Sequence, residues 1–294
     1  MAPMYMESNP YKGPQRRELP PDHFFGVIRQ FLAVATLLVG SFSGLAAHGK
    51  PHTDALPPRD NDNTGTDPGN VPPGTVLPVQ LNRGFSSKDA HPGQPITGRI
   101  MQDVPLPGGG KIPEGAKILG TILSVSRVGK PSSAGISFQF NEIQMHHQRI
   151  GIVSSLRALA SPMEVAAALT PDASPGFGTP YIWSTTRLIG GDVKYGDGGP
   201  VTDKWNHSVG QGTYDGVLVH LRPQPAAGCR GALDNDDRLQ ALWVFSADAC
   251  GVYGITGASI AHAGRSQPAG EINLASLTGD LKIRGGAGML LRVL

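Results

Sequence analysis

Apolar and polar residues alternate most clearly at Ile136, Phe138 and Phe140, with Ser137 and Gln139 between them. A period of two places one set of side chains on a buried face and the other toward solvent, which is the signature of a β-strand. Ile143 and Met145 extend that pattern, and Ile150-Gly151-Ile152-Val153 returns after it. Ile118 to Val125 predicts a second strong strand, and Ile96-Thr97-Gly98-Arg99-Ile100 a third, with Val104 and Leu106 continuing its apolar face. Between these runs lie turn sequences: Ser86 to Gly93, the hairpin-type Leu106-Pro107-Gly108-Gly109-Gly110-Lys111, and the polar loop Gly129 to Gly135.

One phrase occurs twice. Val71-Pro72-Pro73-Gly74-Thr75-Val76-Leu77 returns as Ile112-Pro113-Glu114-Gly115-Ala116-Lys117-Ile118-Leu119. Proline fixes φ and favours an extended residue before it, and the glycine that follows permits a tight turn with positive φ. Each copy therefore launches a strand out of a turn, and two copies point to a small barrel or sandwich.

Helical period is rare. Ser161-Pro162-Met163-Glu164-Val165-Ala166-Ala167-Ala168-Leu169 predicts one short helix. Ser161 caps it, Pro162 takes the first helical position, Glu164 favours the positive end of the dipole, and Pro171 stops it. Beyond Tyr181 the candidate strands are 184–189, 216–221, 239–245, 251–255, 259–262, 271–274, 281–284 and 289–293. The expected fold is mainly β: two β-rich units, 71–160 and 181–294, joined by a helix and connector at 161–180.

Composition supports that reading. Glycine (40) and proline (26) make up more than a fifth of the 294 residues, which suits short strands with tight corners and disfavours a helical bundle. The formal net charge is +2. No Lys/Arg run interleaved with aromatics stands out, so no nucleic-acid partner is expected.

The apolar run from Phe31 to Val39 continues to Ala47 and is preceded by Lys12, Arg16, Arg17 and Arg29. A basic segment, an apolar segment and small residues before His48 fit a secretory signal cleaved after Ala47. A retained membrane anchor over 1–47 is the alternative. Met4 and Met6 are alternative starts. Residues 48–70 are polar and proline-rich, too poor in apolar surface to offset the entropy of ordering, and predict a disordered tether. Membrane contact is expected only through the N-terminal segment. In an exported chain the two cysteines, Cys229 and Cys250, read as a disulfide.

The stretch 71–156 resembles the C-terminal β-barrel domain of type IV secretion and conjugation channel proteins of the VirB10/TrbI kind. The matching residues are Pro73-Gly74-Thr75-Val76-Leu77-Pro78-Val79-Gln80-Leu81, then Gly98-Arg99-Ile100 and Val104, then Ile112 to Gly120. An apolar segment, a proline-rich tether and a β-domain in that order are also similar to the family's layout. The resemblance implies an envelope protein carrying a related small β-domain. It ends at Ala160, after which the family's later strands and pore helices have no counterpart, so a channel role is not carried over.

Candidate chemistry is sparse. Asp234, Asp236 and Asp237 resemble the start of a calcium loop, but the required downstream glycine and bidentate glutamate are absent, and Arg238 and Leu239 follow instead. Asp192, Asp197 and Asp203 form a looser oxygen-rich stretch. His146 and His147 are adjacent in a strand region and so face opposite sides. Trp183, Trp205 and Trp243 are candidates for an aromatic platform that stacks on sugar rings, against the plainer reading that they pack a core. There is no GxSxG or HExxH sequence. These readings point to an exported, non-enzymatic protein of the periplasm, cell envelope or exterior, without cofactor or firm metal site, whose partners are envelope proteins or glycans. A glycan-binding or glycan-active secreted protein is the second reading, and a component of a type IV secretion channel the third.

Overall fold

A computed structural model describes residues 70–127, 133–145, 148–172, 184–229, 238–261 and 269–294. All of them belong to one compact unit spanning Asn61–Leu294. Residues 1–69, where an export segment and a tether are expected, and His146, His147, Trp183, Asp234, Asp236 and Asp237 lie outside the described residues.

The first half carries β1 (Val76–Leu81), β2 (Phe85–Ser86), β3 (Pro95–Ile100), β4 (Val104–Pro105), β5 (Lys111–Ile112), β6 (Lys117–Ser126), β7 (Ala134–Met145), β8 (Gln148–Gly151) and β9 (Ser154–Ala160). Helix α1 (Pro162–Ala168) follows. The second half carries β10 (Thr185–Arg187), β11 (Val193–Tyr195), β12 (Pro200–Thr202), β13 (Ser208–Gly212), β14 (Val217–His220), β15 (Leu239–Ala241), β16 (Gly251–Tyr253), β17 (Ala258–Ala261), β18 (Ile272–Ser276), β19 (Lys282–Ile283) and β20 (Gly288–Val293).

The repeated phrase forms the same turn twice. Thr75 N donates to Pro72 O at 3.2 Å and Ala116 N to Pro113 O at 3.2 Å. The intervening Gly74 and Gly115 take φ of 85° and 82°, the positive value that a type II turn requires at its third residue. The turns launch β1 and β6, which flank β3 in one sheet.

That sheet is ordered β16-β9-β20-β1-β3-β6-β7-β18-β17, with β8 paired to β7. Its end strands β16 and β17 approach each other around the turn that joins them, so the sheet is a nearly closed barrel. Leu77, Val79, Ile100, Ile118, Phe138, Phe140 and Met289 fill it. Phe138 meets the rings of Phe85 and Phe140 edge-on, with centroids 5.4 and 5.8 Å away. Edge-to-face contact suits the ring quadrupoles.

A six-stranded meander, β10 to β15, forms a second sheet. Its Val201, Val217 and Val219 join Val76 of β1, Ala158 of β9 and Leu290 of β20 in a second core, together with Val165 of α1. β9 and β20 are therefore covered on both faces, and every residue of each is buried. Burial on both faces explains why neither strand alternates apolar with solvent-facing residues, and why even Ser154, Ser155, Arg157 and Arg292 are buried in them.

The stretches 71–160 and 181–294 share hydrogen bonds. β16, β17, β18 and β20 all belong to the barrel sheet, and β20 sits between β1 and β9. Helix α1 begins as its sequence predicts: the Ser161 side chain accepts from Glu164 N, and Pro162 stands in the first turn. The strand expected over 239–245 stops at Ala241. Trp243 takes φ of 54°, and its N–H donates to Gln102 Oε1 at 2.7 Å. A side chain thus replaces the next ladder partner, and the chain turns away.

Candidate functional site

Strand β19 stands between two clefts. It pairs only with β2 among the described residues, Lys282 opposite Ser86 and Ile283 opposite Phe85. Ser87 locks the start of this pair: its N–H donates to Leu281 O at 2.8 Å, and its hydroxyl accepts from Leu281 N at 3.0 Å. Gly84 permits the close approach at the other end, since a Cβ there would lie 2.4 Å from Ile283 O.

The first cleft, of about 360 Å³, runs over β2 and includes Phe85, Asp89 and Gln94. The second, of about 300 Å³, lies between β19, the start of α1 and the turn Gly254–Thr256. Lys282 and Arg284 line both. Both side chains are exposed, while Ile283 between them is buried. Neither forms an ion pair among the described residues. Asp89 on the first cleft accepts from the Ser86 hydroxyl at 2.8 Å.

A second polar feature is internal. Arg222 joins Asp192 at 3.2 Å and Asp203 at 2.9 Å, with both carboxylates almost wholly buried. Asp192 also accepts from Ala247 N at 2.8 Å. Burial pushes the Asp192 carboxyl above its ordinary value, against the pull of Ala247 N–H and Arg222. Burial acts in the same sense on Asp203, but donation from His207 N, Trp205 N and Arg222 outweighs it and holds that carboxyl low. Arg157, fully buried on β9, donates to Ala249 O at 2.9 Å and to the Arg222 carbonyl. Buried charges persist when they are paired and hydrogen-bonded, and this network ties the loop before β16 to the meander.

The oxygen-rich stretch Asp192, Asp197 and Asp203 thus serves arginine and lysine. Asp197 binds Lys194 at 2.9 Å, and no cluster of three or more metal-ligating side chains occurs among the described residues. The tryptophans are not brought together as a platform among the described residues. Trp243 is 4% exposed and belongs to the second core. Trp205 is 63% exposed, on a tight loop where Asp203 Oδ1 accepts from Trp205 N and His207 N at 2.9 Å each. Lys204 Nζ lies 4.3 Å from the Trp205 ring centroid.

Cys229 and Cys250 form a disulfide, with Cα atoms 6.1 Å apart. Cys250 immediately precedes β16, and Ile260 of β17 packs against the bridge. The disulfide therefore sits beside the seam where the barrel sheet fails to close.

The sequence reading missed Arg157, Arg222, Lys282 and Arg284. Arg157 had a signal, a charge inside the otherwise apolar Leu156 to Leu159. Lys282 and Arg284 had none, because a Lys-Ile-Arg strand reads as an ordinary solvated face.

Comparison of the chain with protein-family models, with curated proteins and with solved structures finds no match.

Proposed function

We propose that this protein is exported and serves a structural, interaction-based role in the cell envelope, held off a membrane by its N-terminal segment or released from it. The observation that carries the reading is the Cys229–Cys250 disulfide. Such bridges form and persist in oxidising compartments, whereas cytosolic thiols are kept reduced. The basic residues ahead of the apolar tract 31–47, and the proline-rich tether behind it, support the same compartment. The clefts beside β19 supply surface for a partner.

The test is fractionation of cells expressing the full chain, with a maleimide probe added before and after reduction. Export predicts recovery from the envelope or the medium, with both cysteines labelled only after reduction. Recovery from the cytosol with both cysteines labelled at once would overturn the reading. Turnover of a glycan, ester or peptide library by the purified chain would overturn its non-enzymatic part.

A further inference from the structure

We infer that the free edge of β19 is a docking site for an extended acidic peptide segment of a partner protein, which adds to it as a strand. The inference builds on the interaction role but not on export.

The backbone argument comes from register. Ser87 N bonds to Leu281 O, one step from the Lys282–Ser86 pair. In an antiparallel ladder, hydrogen-bonded and non-bonded pairs alternate. Lys282 is therefore at a non-bonded position, and its own N–H and C=O turn away from β2. No other strand pairs with that edge among the described residues. An unpaired strand edge is a template for another chain unless it is blocked or covered. The second cleft is lined by Lys282 and Arg284 and by no residue of β2.

The side chains specify the occupant. Lys282 and Arg284 are two residues apart, exposed and without a carboxylate partner among the described residues. An added strand with acidic residues at alternate positions matches that spacing, because its side chains repeat with the same period of two. Its remaining side chains meet apolar surface from Pro162, Ile255 and Met163, the last 77% exposed. Main-chain bonds for affinity and alternate pockets for specificity are the terms of β-strand addition. An anionic polysaccharide would satisfy the two cations but could not use the strand edge.

The test titrates the full chain with a fluorescein-labelled peptide of alternating glutamate and valine, followed by anisotropy. Saturable binding is expected, lost by about tenfold or more in Lys282→Glu/Arg284→Glu, since two attractive pairs become repulsive. Both positions are exposed, so an unchanged thermal transition shows that the variant folds. The same peptide N-methylated at alternate residues keeps its charge but loses main-chain donors, and it should fail to bind. Equal binding of the methylated peptide, or equal competition by a sulfated polysaccharide, would overturn strand addition. Absence of binding to an exported, disulfide-bonded chain would overturn this site and leave the envelope reading standing. Binding by a chain retained in the cytosol would do the reverse.

Discussion

Gly115 and Gly120 lie on the same approach to the barrel, yet they are glycine for different reasons. Gly115 takes φ of 82°, and a Cβ there would meet open space. Its replacement by alanine costs conformational strain alone, about 1 kcal/mol. A Cβ on Gly120 would instead lie 2.1 Å from Gln139 O, a main-chain atom of the neighbouring strand at the site of a bulge. Strands cannot part there without breaking their ladder, so Gly120→Ala should cost about 3 kcal/mol, as overpacking does. Urea midpoints of the two variants should fall in that order, and equal midpoints would refute the distinction. Gly115 is readable from its Ile-Pro-x-Gly setting. Gly120 is not, because its neighbour Gln139 arrives by strand pairing from beyond a loop.

Among the elements, the disulfide sits beside β16 and β17, which share no ladder among the described residues. Its two cysteines are 21 residues apart in sequence, and closing a loop of that size in the unfolded chain corresponds to roughly 3 kcal/mol in the chain-entropy model. Reduction, or Cys229→Ala/Cys250→Ala, should lower the unfolding free energy by about that amount while the far-ultraviolet signal of the folded state persists. Loss of the folded signal itself would show that the bridge is needed to form the barrel. Strands with a clear period or a turn signal were legible: β1, β3, β6, β7 and the capped helix α1 lie where their residues predict. β11, β12 and β13 were not. Val193–Tyr195 is partly buried throughout, and Pro200–Thr202 is only three residues long, so neither shows alternation. They are strands because each neighbour in the meander completes the other's hydrogen bonds.

For the whole molecule, the last strand is a keystone. β20 lies between β1 and β9, with Met289, Leu291 and Val293 in the barrel core and Leu290 in the second core. Deletion of residues 288–294 should abolish cooperative thermal unfolding, because it parts β9 from β1 and exposes both cores. A truncated chain that still melts cooperatively would show that β20 is not needed to hold the fold together. The class of fold, the two proline-glycine turns and the capped helix were all readable from the residues in order. These depend on φ preferences, local hydrogen bonds and a period of two, all contained within a few neighbouring residues. Pairing of the cysteines was readable as well, since only two are present. Tertiary structure alone decided that both halves share one sheet, that Asp192 and Asp203 meet on Arg222, and that Lys282 and Arg284 border a strand edge left unpaired among the described residues. Each of those depends on which distant segments come together, and no local window of residues contains that information.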